Sequence, residues 1–396
     1  MTREPRPNLT RRNFLRSSFI AGATLLVGFD KLRAFDAHIP GGNAVFECGQ
    51  HLGNLDFVGE SRAPLDTPFG SELDGRLFSD LAKLTPENPT PPTDRFYVRT
   101  CASKFLEAEK GWQIRFGGLV DKPVVLTIED LQKSVAPTGL HLMECSGNAR
   151  ATRFGMLSVA DWNGAPLSQV LQLCKAKPQA TRVMVSGFDR YSGVSANSSP
   201  GADWIFTLEQ IKATRAFLAT EMNGKSLTND HGAPVRLVVP GWYGCTCIKW
   251  VNAITFVDEN APATSQMQEF AGRTHQQGIP KLAREYRAAA IDQAAMPIRV
   301  EKWTVVGEIK YRVAGILWGG LRPVKVLEIR FNPEEDYVRV DDLSHTTNDP
   351  WSFWSHTWTP KAPGPYMIRL RVADPRVETK RLDSGYYVRS VEVTEV

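Results

Sequence analysis

The feature that most restricts how this chain can fold is the strict alternation near its C-terminal end. Tyr366, Ile368, Leu370 and Val372 alternate with Met367, Arg369 and Arg371, the period of a strand that buries one face. Residues 324–331 alternate as well, with a phase change at Val326-Leu327 that a β-bulge would explain. Turn residues recur at Gly319-Gly320, Asn332-Pro333, Pro363-Gly364 and Asp383-Ser384-Gly385. Short alternating strands between such turns predict an all-β sandwich over residues 299–396. Trp351, Trp354 and Trp358 fall inside it and are expected in its core or at an interface.

Upstream the texture is mixed. At 396 residues the chain is too long for one ordinary core, so a second domain is expected. Residues 91–258 read as that domain. Strands are predicted at 95–100, at 112–116 (alternating at period two), at 182–186, at 234–240 and at 249–257. Thr127 is placed to cap a helix. Leu167, Val170, Leu171 and Cys174 share one helical face, which makes Cys174 a core residue. Thr207-Leu208-Glu209-Gln210 is a capping box. Residues 38–90, rich in Gly, Pro, Asp and Asn, read as an extended arm with a short helix near 77–84. Residues 259–298 have no sustained apolar face and read as a linker.

Charge is concentrated at the start. Residues 1–33 carry seven basic and two acidic side chains, and without them the +4 of the chain becomes −1. A nearly neutral body gives no reason to expect a nucleic-acid surface. The apolar run 19–29 is too short to span a bilayer and has the length of an export signal's core. Thr10-Arg11-Arg12-Asn13-Phe14-Leu15 has the twin-arginine form used to export folded proteins. Residues 1–37 are therefore expected to be a signal peptide, with a periplasmic destination and membrane contact only during export. The six cysteines would be free to pair there, but their spacing matches neither a zinc nor a haem pattern.

One of them stands apart. Cys145 follows a short apolar lead and precedes Ser146-Gly147-Asn148, a trio suited to a sharp turn. A thiol on a turn is presented to its surroundings, and Arg150 lies five residues on, where a cation could hold an anion or favour a thiolate. By itself the stretch is as compatible with a buried structural cysteine as with a working one.

Several stretches together resemble the sulfite oxidase family of molybdopterin enzymes. Glu144-Cys145-Ser146-Gly147-Asn148-Ala149-Arg150 is similar to its Cys-Ala-Gly-Asn-x-Arg element. The run from Glu221-Met222-Asn223-Gly224 through His231-Gly232-Ala233-Pro234-Val235-Arg236, Pro240-Gly241-Trp242-Tyr243-Gly244 and Lys249-Trp250 resembles its second cofactor-binding segment. The likeness covers residues 91–396 in order. It implies an α+β fold: a sulfite-oxidase-type molybdopterin-binding domain, then an immunoglobulin-like dimerisation domain.

The resemblance also implies roles. Cys145 would be the protein's ligand to molybdenum, a soft metal suited to a thiolate. Ser146, Asp189, His231, Arg236 and Lys249 would bind the molybdopterin, the last three around its phosphate. Arg99 and Arg150 would hold an oxyanion beside the metal, with Arg190 and Tyr191 lining the pocket. The chain departs from the family at Cys101, where an imidazole is usual. It also has no tyrosine in 266–274, where Arg273 or the later Tyr286 could substitute. The implied activity is oxygen-atom transfer to sulfite or a related sulfur oxyanion. Electrons would pass to a separate carrier such as a c-type cytochrome, in a homodimer. Sulfoxide reduction with the same cofactor is the alternative, and a non-catalytic exported sandwich protein is a third reading.

Overall fold

The computed structural model describes residues 45–106, 111–344 and 350–396; the expected signal peptide lies outside them. Four five-stranded sheets account for the architecture. The first is antiparallel and orders Ala136–Glu144, Leu157–Pro166, Phe217–Met222 and Lys225–Ser226, with Arg236–Val238 also pairing with Phe217–Met222. The second orders Val124–Thr127, Gln113–Gly118, Val251–Val257, Arg182–Gly187 and Asp203–Thr207. Its Gln113–Gly118 and Val251–Val257 pair is parallel and its other pairs antiparallel.

The remaining two sheets contain the C-terminal strands. One runs Gln50–Asn54, Ala294–Val305, Glu308–Trp318, Ser352–Trp358, Asp342–Leu343, and the other Val338–Arg339, Leu327–Arg330, Gly364–Val372, Arg389–Val393, Phe57–Val58. Both are antiparallel throughout. In Gly364–Val372 the side chains of Ile368, Leu370 and Val372 are buried, as the alternation requires. Trp351, Trp354 and Trp358 are all buried.

Local chemistry sets the short helices. Thr127 Oγ1 accepts from the Asp130 amide at 3.1 Å, capping Ile128–Gln132. At Leu208–Thr214 the capping box closes both ways: Gln210 N donates to Thr207 Oγ1 at 3.0 Å, and Thr207 N to Gln210 Oε1 at 2.9 Å. The stretch around Cys174 is helical at Leu167–Val170 and tightens to a 3-10 turn over Leu171–Leu173.

Three expectations need correction. Residues 95–100 form no strand: a 3-10 turn covers Thr93–Arg95, and Val98 makes one isolated bridge to Leu77. The strand expected over 324–331 is only Leu327–Arg330, paired in continuous register with Gly364–Val372. The phase change at Val326 therefore marks the strand's start, with no bulge. Residues 259–298 are not a spacer. Met267, Ala271 and Ala289 are fully buried, and the strand Ala294–Val305 has already begun. Small and amide side chains hid this burial from an apolar-periodicity reading.

The arm is sharper than sequence suggested. Gln50–Asn54 adds to Ala294–Val305 and Phe57–Val58 to Arg389–Val393, so the arm supplies an edge strand to each C-terminal sheet. Arg389 clamps it, donating Nε and Nη2 to the two Glu60 carboxylate oxygens at 2.6 Å each. Its Nη1 donates to Pro297 O at 3.0 Å, and its guanidinium lies 3.5 Å from the Phe57 ring centre. Removing one member of a buried bidentate pair strands the other's charge, at a cost of about 3–5 kcal/mol. Arg389→Ala should lower the unfolding free energy by that amount, read from denaturant melts, and Arg389→Lys should recover only part of it because an ammonium cannot match the fork.

Candidate active site

Cys145 is the first residue beyond the strand Ala136–Glu144, where the ladder stops and the chain turns. Asn148 N donates to Cys145 O at 2.9 Å, and Cys145 N to Met156 O at 3.0 Å. Asn148 fastens the far side by accepting from Met156 N at its Oδ1, 3.0 Å. The turn is thus fixed by backbone bonds, and the thiol is buried at 4% exposure. Burial pushes the thiol up, and Arg99 and Arg273 pull it back down. A Cβ added to Gly147 would sit 3.8 Å from Arg273 Nη1 and 3.9 Å from Cys145 Sγ, ordinary contact distances. The missing side chain leaves the sulfur approachable from that side.

Two cavities meet around this turn. The first is a cleft of about 960 Å³, open space included, with Cys145, Asp189, Tyr191, Arg236 and Lys249 among its lining. Arg236 and Lys249 hold its charge without a carboxylate bonded to either. Arg236 donates to His231 O at 3.0 Å and Cys247 O at 3.4 Å, and among the described residues its buried Nε has no partner. Lys249 Nζ donates to Asp230 O at 2.8 Å and to Thr100 O. Burial, with Arg236 nearby, pushes its ammonium down to about 7. Arg236 also donates to Met143 Sδ at 3.1 Å, and two desolvated cations bonded to neutral groups form a site that an anion would stabilise strongly. Asp189 edges the cleft. Partial burial pushes its carboxyl up to about 6, although the residue as a whole is exposed.

The second cavity, of about 1120 Å³, is lined by four arginines, Arg76, Arg99, Arg273 and Arg381, with Ser146, Gly147, His275 and Tyr386. No carboxylate is among its lining residues. Arg99 borders both cavities and donates to Ser198 Oγ at 3.0 Å. Burial and the charge of Arg99 push the Arg76 guanidinium down to about 10. Crowded like charges of this kind await a counter-anion.

Of the residues expected from sequence, Cys145, Ser146, Asp189, Arg236, Lys249 and Arg99 border one or both cavities. Two do not. Arg150 enters a 3-10 turn over Arg150–Thr152, is exposed, and donates to Val388 O at 2.6 Å. It ties the Cys145 turn to the C-terminal sheets. His231 is buried, with Nδ1 at 2.7 Å from Thr228 Oγ1 and Nε2 at 3.1 Å from Phe96 O. The carbonyl can only accept, so the proton sits on Nε2. Burial holds the ring down to about 4, hence neutral. His231 positions Arg236 through its carbonyl and offers no ring nitrogen to the cleft. Tyr286 is turned away as well, donating to Pro280 O at 3.3 Å, and Arg190 rests on the Phe105 ring at 5.1 Å.

Sequence reasoning missed Arg76, Arg381 and Tyr386 altogether. The last two come from the C-terminal unit, which grips the Cys145 turn. Arg381 Nη2 donates to Ser146 O at 2.8 Å and to Arg273 O at 2.9 Å. Tyr386 donates to Asn148 O at 2.7 Å. Glu144, fully buried, accepts from Trp318 Nε1 at 2.9 Å and Tyr387 OH at 3.1 Å. Only the basic-aromatic cluster at 380–389 hinted at this.

Comparison with known proteins agrees with the geometry. Residues 102–265 match the oxidoreductase molybdopterin binding domain, a span that includes Cys145, Arg236 and Lys249. A nitrate reductase [NADPH] of Beauveria bassiana is 27% identical over 62% of this chain and 31% of its own length. A sulfite oxidase of Arabidopsis thaliana is 27% identical over 45% of this chain and 50% of its own. The chain thus spans about a third to a half of these relatives. The crystal structure of the sulfane dehydrogenase SoxCD from Paracoccus pantotrophus shares the fold, with a TM-score of 0.60 and 18% identity over 92% of this chain and 95% of that one.

The residues present fit a molybdopterin. Arg236 and Lys249, with no carboxylate bonded to either, would hold its phosphate, and a soft thiol lines the same cleft. Close backbone approach is built in at Gly244, where a Cβ would meet Tyr97 Oη at 2.6 Å. Cys145→Ser should leave the circular dichroism spectrum unchanged while turnover falls by more than about a hundredfold, since losing a ligand costs at least as much as losing its supports. Arg236→Met should lower the molybdenum bound per chain, read by metal analysis of the purified protein.

Proposed function

We propose that this molybdopterin-dependent oxidoreductase of the sulfite oxidase family oxidises sulfite or a related sulfur oxyanion and passes the electrons to a separate carrier. The second cavity carries the reading: four guanidinium groups and no carboxylate line it. Arg76 and Arg381 have Asp74 at 3.9 Å and Glu144 at 4.0 Å, but a neutral sulfoxide would leave Arg99 and Arg273 uncompensated, whereas an oxyanion satisfies them with charge-assisted hydrogen bonds. Nitrate, in the name of several relatives, is also an oxyanion and forms the second reading.

In the balanced reaction sulfite and water give sulfate, two protons and two electrons. A bound molybdopterin would supply oxygen-atom transfer and two-electron redox chemistry. The chain does the rest. Cys145 would hold the metal on a turn fixed by Asn148 and Met156. Arg236 and Lys249 would anchor the phosphate, with His231 keeping Arg236 in place. Arg99, at the junction of the cavities, and Arg273, beside the open Gly147 position, draw the anion toward the sulfur. Arg76 and Arg381 neutralise its remaining charge.

The rest of the proposal concerns setting. The twin-arginine motif at Arg11-Arg12 and the short apolar run after it support export to the periplasm. A c-type cytochrome there would suit as carrier. The C-terminal sheets are read as the immunoglobulin-like sandwich that pairs two copies.

Three assays on the molybdenum-loaded protein decide the substrate: sulfite with an oxidised carrier, nitrate with a reduced dye, and methyl sulfoxides with the same dye. Sulfite oxidation as the fastest activity is the expected result; faster nitrate or sulfoxide reduction overturns it. A hydrogen bond to a charged group contributes about 1.5–3 kcal/mol. Arg273→Met should therefore raise KM for sulfite by about 10- to 100-fold. Wild-type kcat/KM should fall as salt rises, because the attraction is electrostatic.

A further inference from the structure

We propose that His275, oriented by Asp292, is the group on the second cavity that accepts the protons water gives up when the oxyanion is oxidised. The inference rests on the oxyanion reading above. Oxidising sulfite frees two protons from water, and the four arginines around the anion cannot take them. Among the cavity's lining residues, His275 is the one side chain that can accept a proton near neutral pH, the others being arginine, hydroxyl, thioether, phenyl and glycine.

Its surroundings suit the task. His275 Nε2 lies 2.5 Å from Asp292 Oδ2, with the two side chains 24% and 9% exposed. A carboxylate against Nε2 favours the proton on that nitrogen, which leaves Nδ1 as the accepting atom. Among the described residues Nδ1 has no hydrogen-bond partner, so it is left for the cavity and solvent. The residue sits at φ 59°, the left-handed C-cap of the 3-10 turn Gly272–Thr274. Arg273 on that turn faces the Gly147 position, so one short turn carries both an anion contact and the proton acceptor.

The groups that set its charge are few. Burial lowers the imidazole, Asp292 raises it, and Arg381 and Lys380 lower it. Burial raises Asp292 in turn, with His275, Lys380 and Arg381 lowering it and Glu378 raising it. The Tyr243 ring packs 6.4 Å from the imidazole. One proton moves from water to Nδ1, then to solvent through the exposed ring edge, and the second follows the same way. The electron pair goes to the bound molybdopterin and on to the carrier.

The test uses the molybdenum-loaded protein, with kcat expressed per bound molybdenum. His275→Gln should lower kcat for sulfite by about a hundredfold, the lower range for lost proton transfer. KM should stay within about threefold, since the anion contacts remain. Imidazole added to His275→Gly should restore part of kcat. In wild type the acid limb of the kcat profile should follow the His275 titration, because only the neutral ring accepts. Asp292→Asn removes the group that raises His275, so that limb should move to lower pH by about one unit. Nitrogen-15 histidine spectra of wild type and Asp292→Asn read the same shift without turnover, the His275 signal being the one absent from His275→Gln.

An unchanged kcat and pH profile in His275→Gln overturns the proposal, as does a limb that Asp292→Asn fails to move. A wild type that oxidises no sulfur oxyanion overturns the functional reading instead, and the nitrogen-15 titration still reports whether the pair is coupled.

Discussion

Everything near the Cys145 thiol depends on one buried carboxylate. Glu144 is fully buried, immediately precedes Cys145, and accepts from Trp318 and Tyr387, both in the C-terminal unit. Asn148 Nδ2 adds a third donor at 3.4 Å, and Arg381 stands 4.0 Å away. A carboxylate so far from water is tolerated only because these groups satisfy it. The same bonds therefore decide where the Cys145 turn sits. The C-terminal unit, expected from sequence to pair subunits, also forms part of the wall of the site within its own chain.

Charge divides the site into two compartments. In the first, Arg236 and Lys249 are desolvated and bonded to neutral groups, so their positive charge is open to an anionic group. In the second, four guanidinium groups crowd an open cavity and favour a small anion that enters and leaves. Arg99 lines both, and Cys145 lines the first. Neutral His231 fits this division, because a protonated ring beside Arg236 would add repulsion without reaching the cleft.

The legible parts of the sequence were those whose signal is local. The period-two run at 366–372, the capping box at Thr207 and the turn at Cys145 each need only a few neighbours and stand as read, although the Cys145 thiol is buried where presentation was expected. Arg236 and Lys249 were legible through resemblance and occupy the cleft. Arg150 was misread because the chain leaves Asn148 in a 3-10 turn that sends its side chain outward. His231 was misread although Thr228, three residues earlier, is a capping signal: Thr228 Oγ1 accepts from His231 N at 3.4 Å and engages the ring as well. The second cavity was illegible for another reason. Arg76, Arg99, Arg273 and Arg381 are spread over three hundred residues, and no spacing rule joins them before the sheets form.

The edge strands Gln50–Asn54 and Phe57–Val58 give the chain a closed order of assembly. Each completes a sheet whose other strands lie beyond residue 293, so the C-terminal unit cannot finish forming while its later strands are still in the ribosome. Pairings between such distant segments form late, because the chain between them must first be ordered. The donors to Glu144 belong to that late unit. Closing the wall around the Cys145 turn is thus among the last steps of folding, which leaves the nascent chain open at the position where a large cofactor must enter.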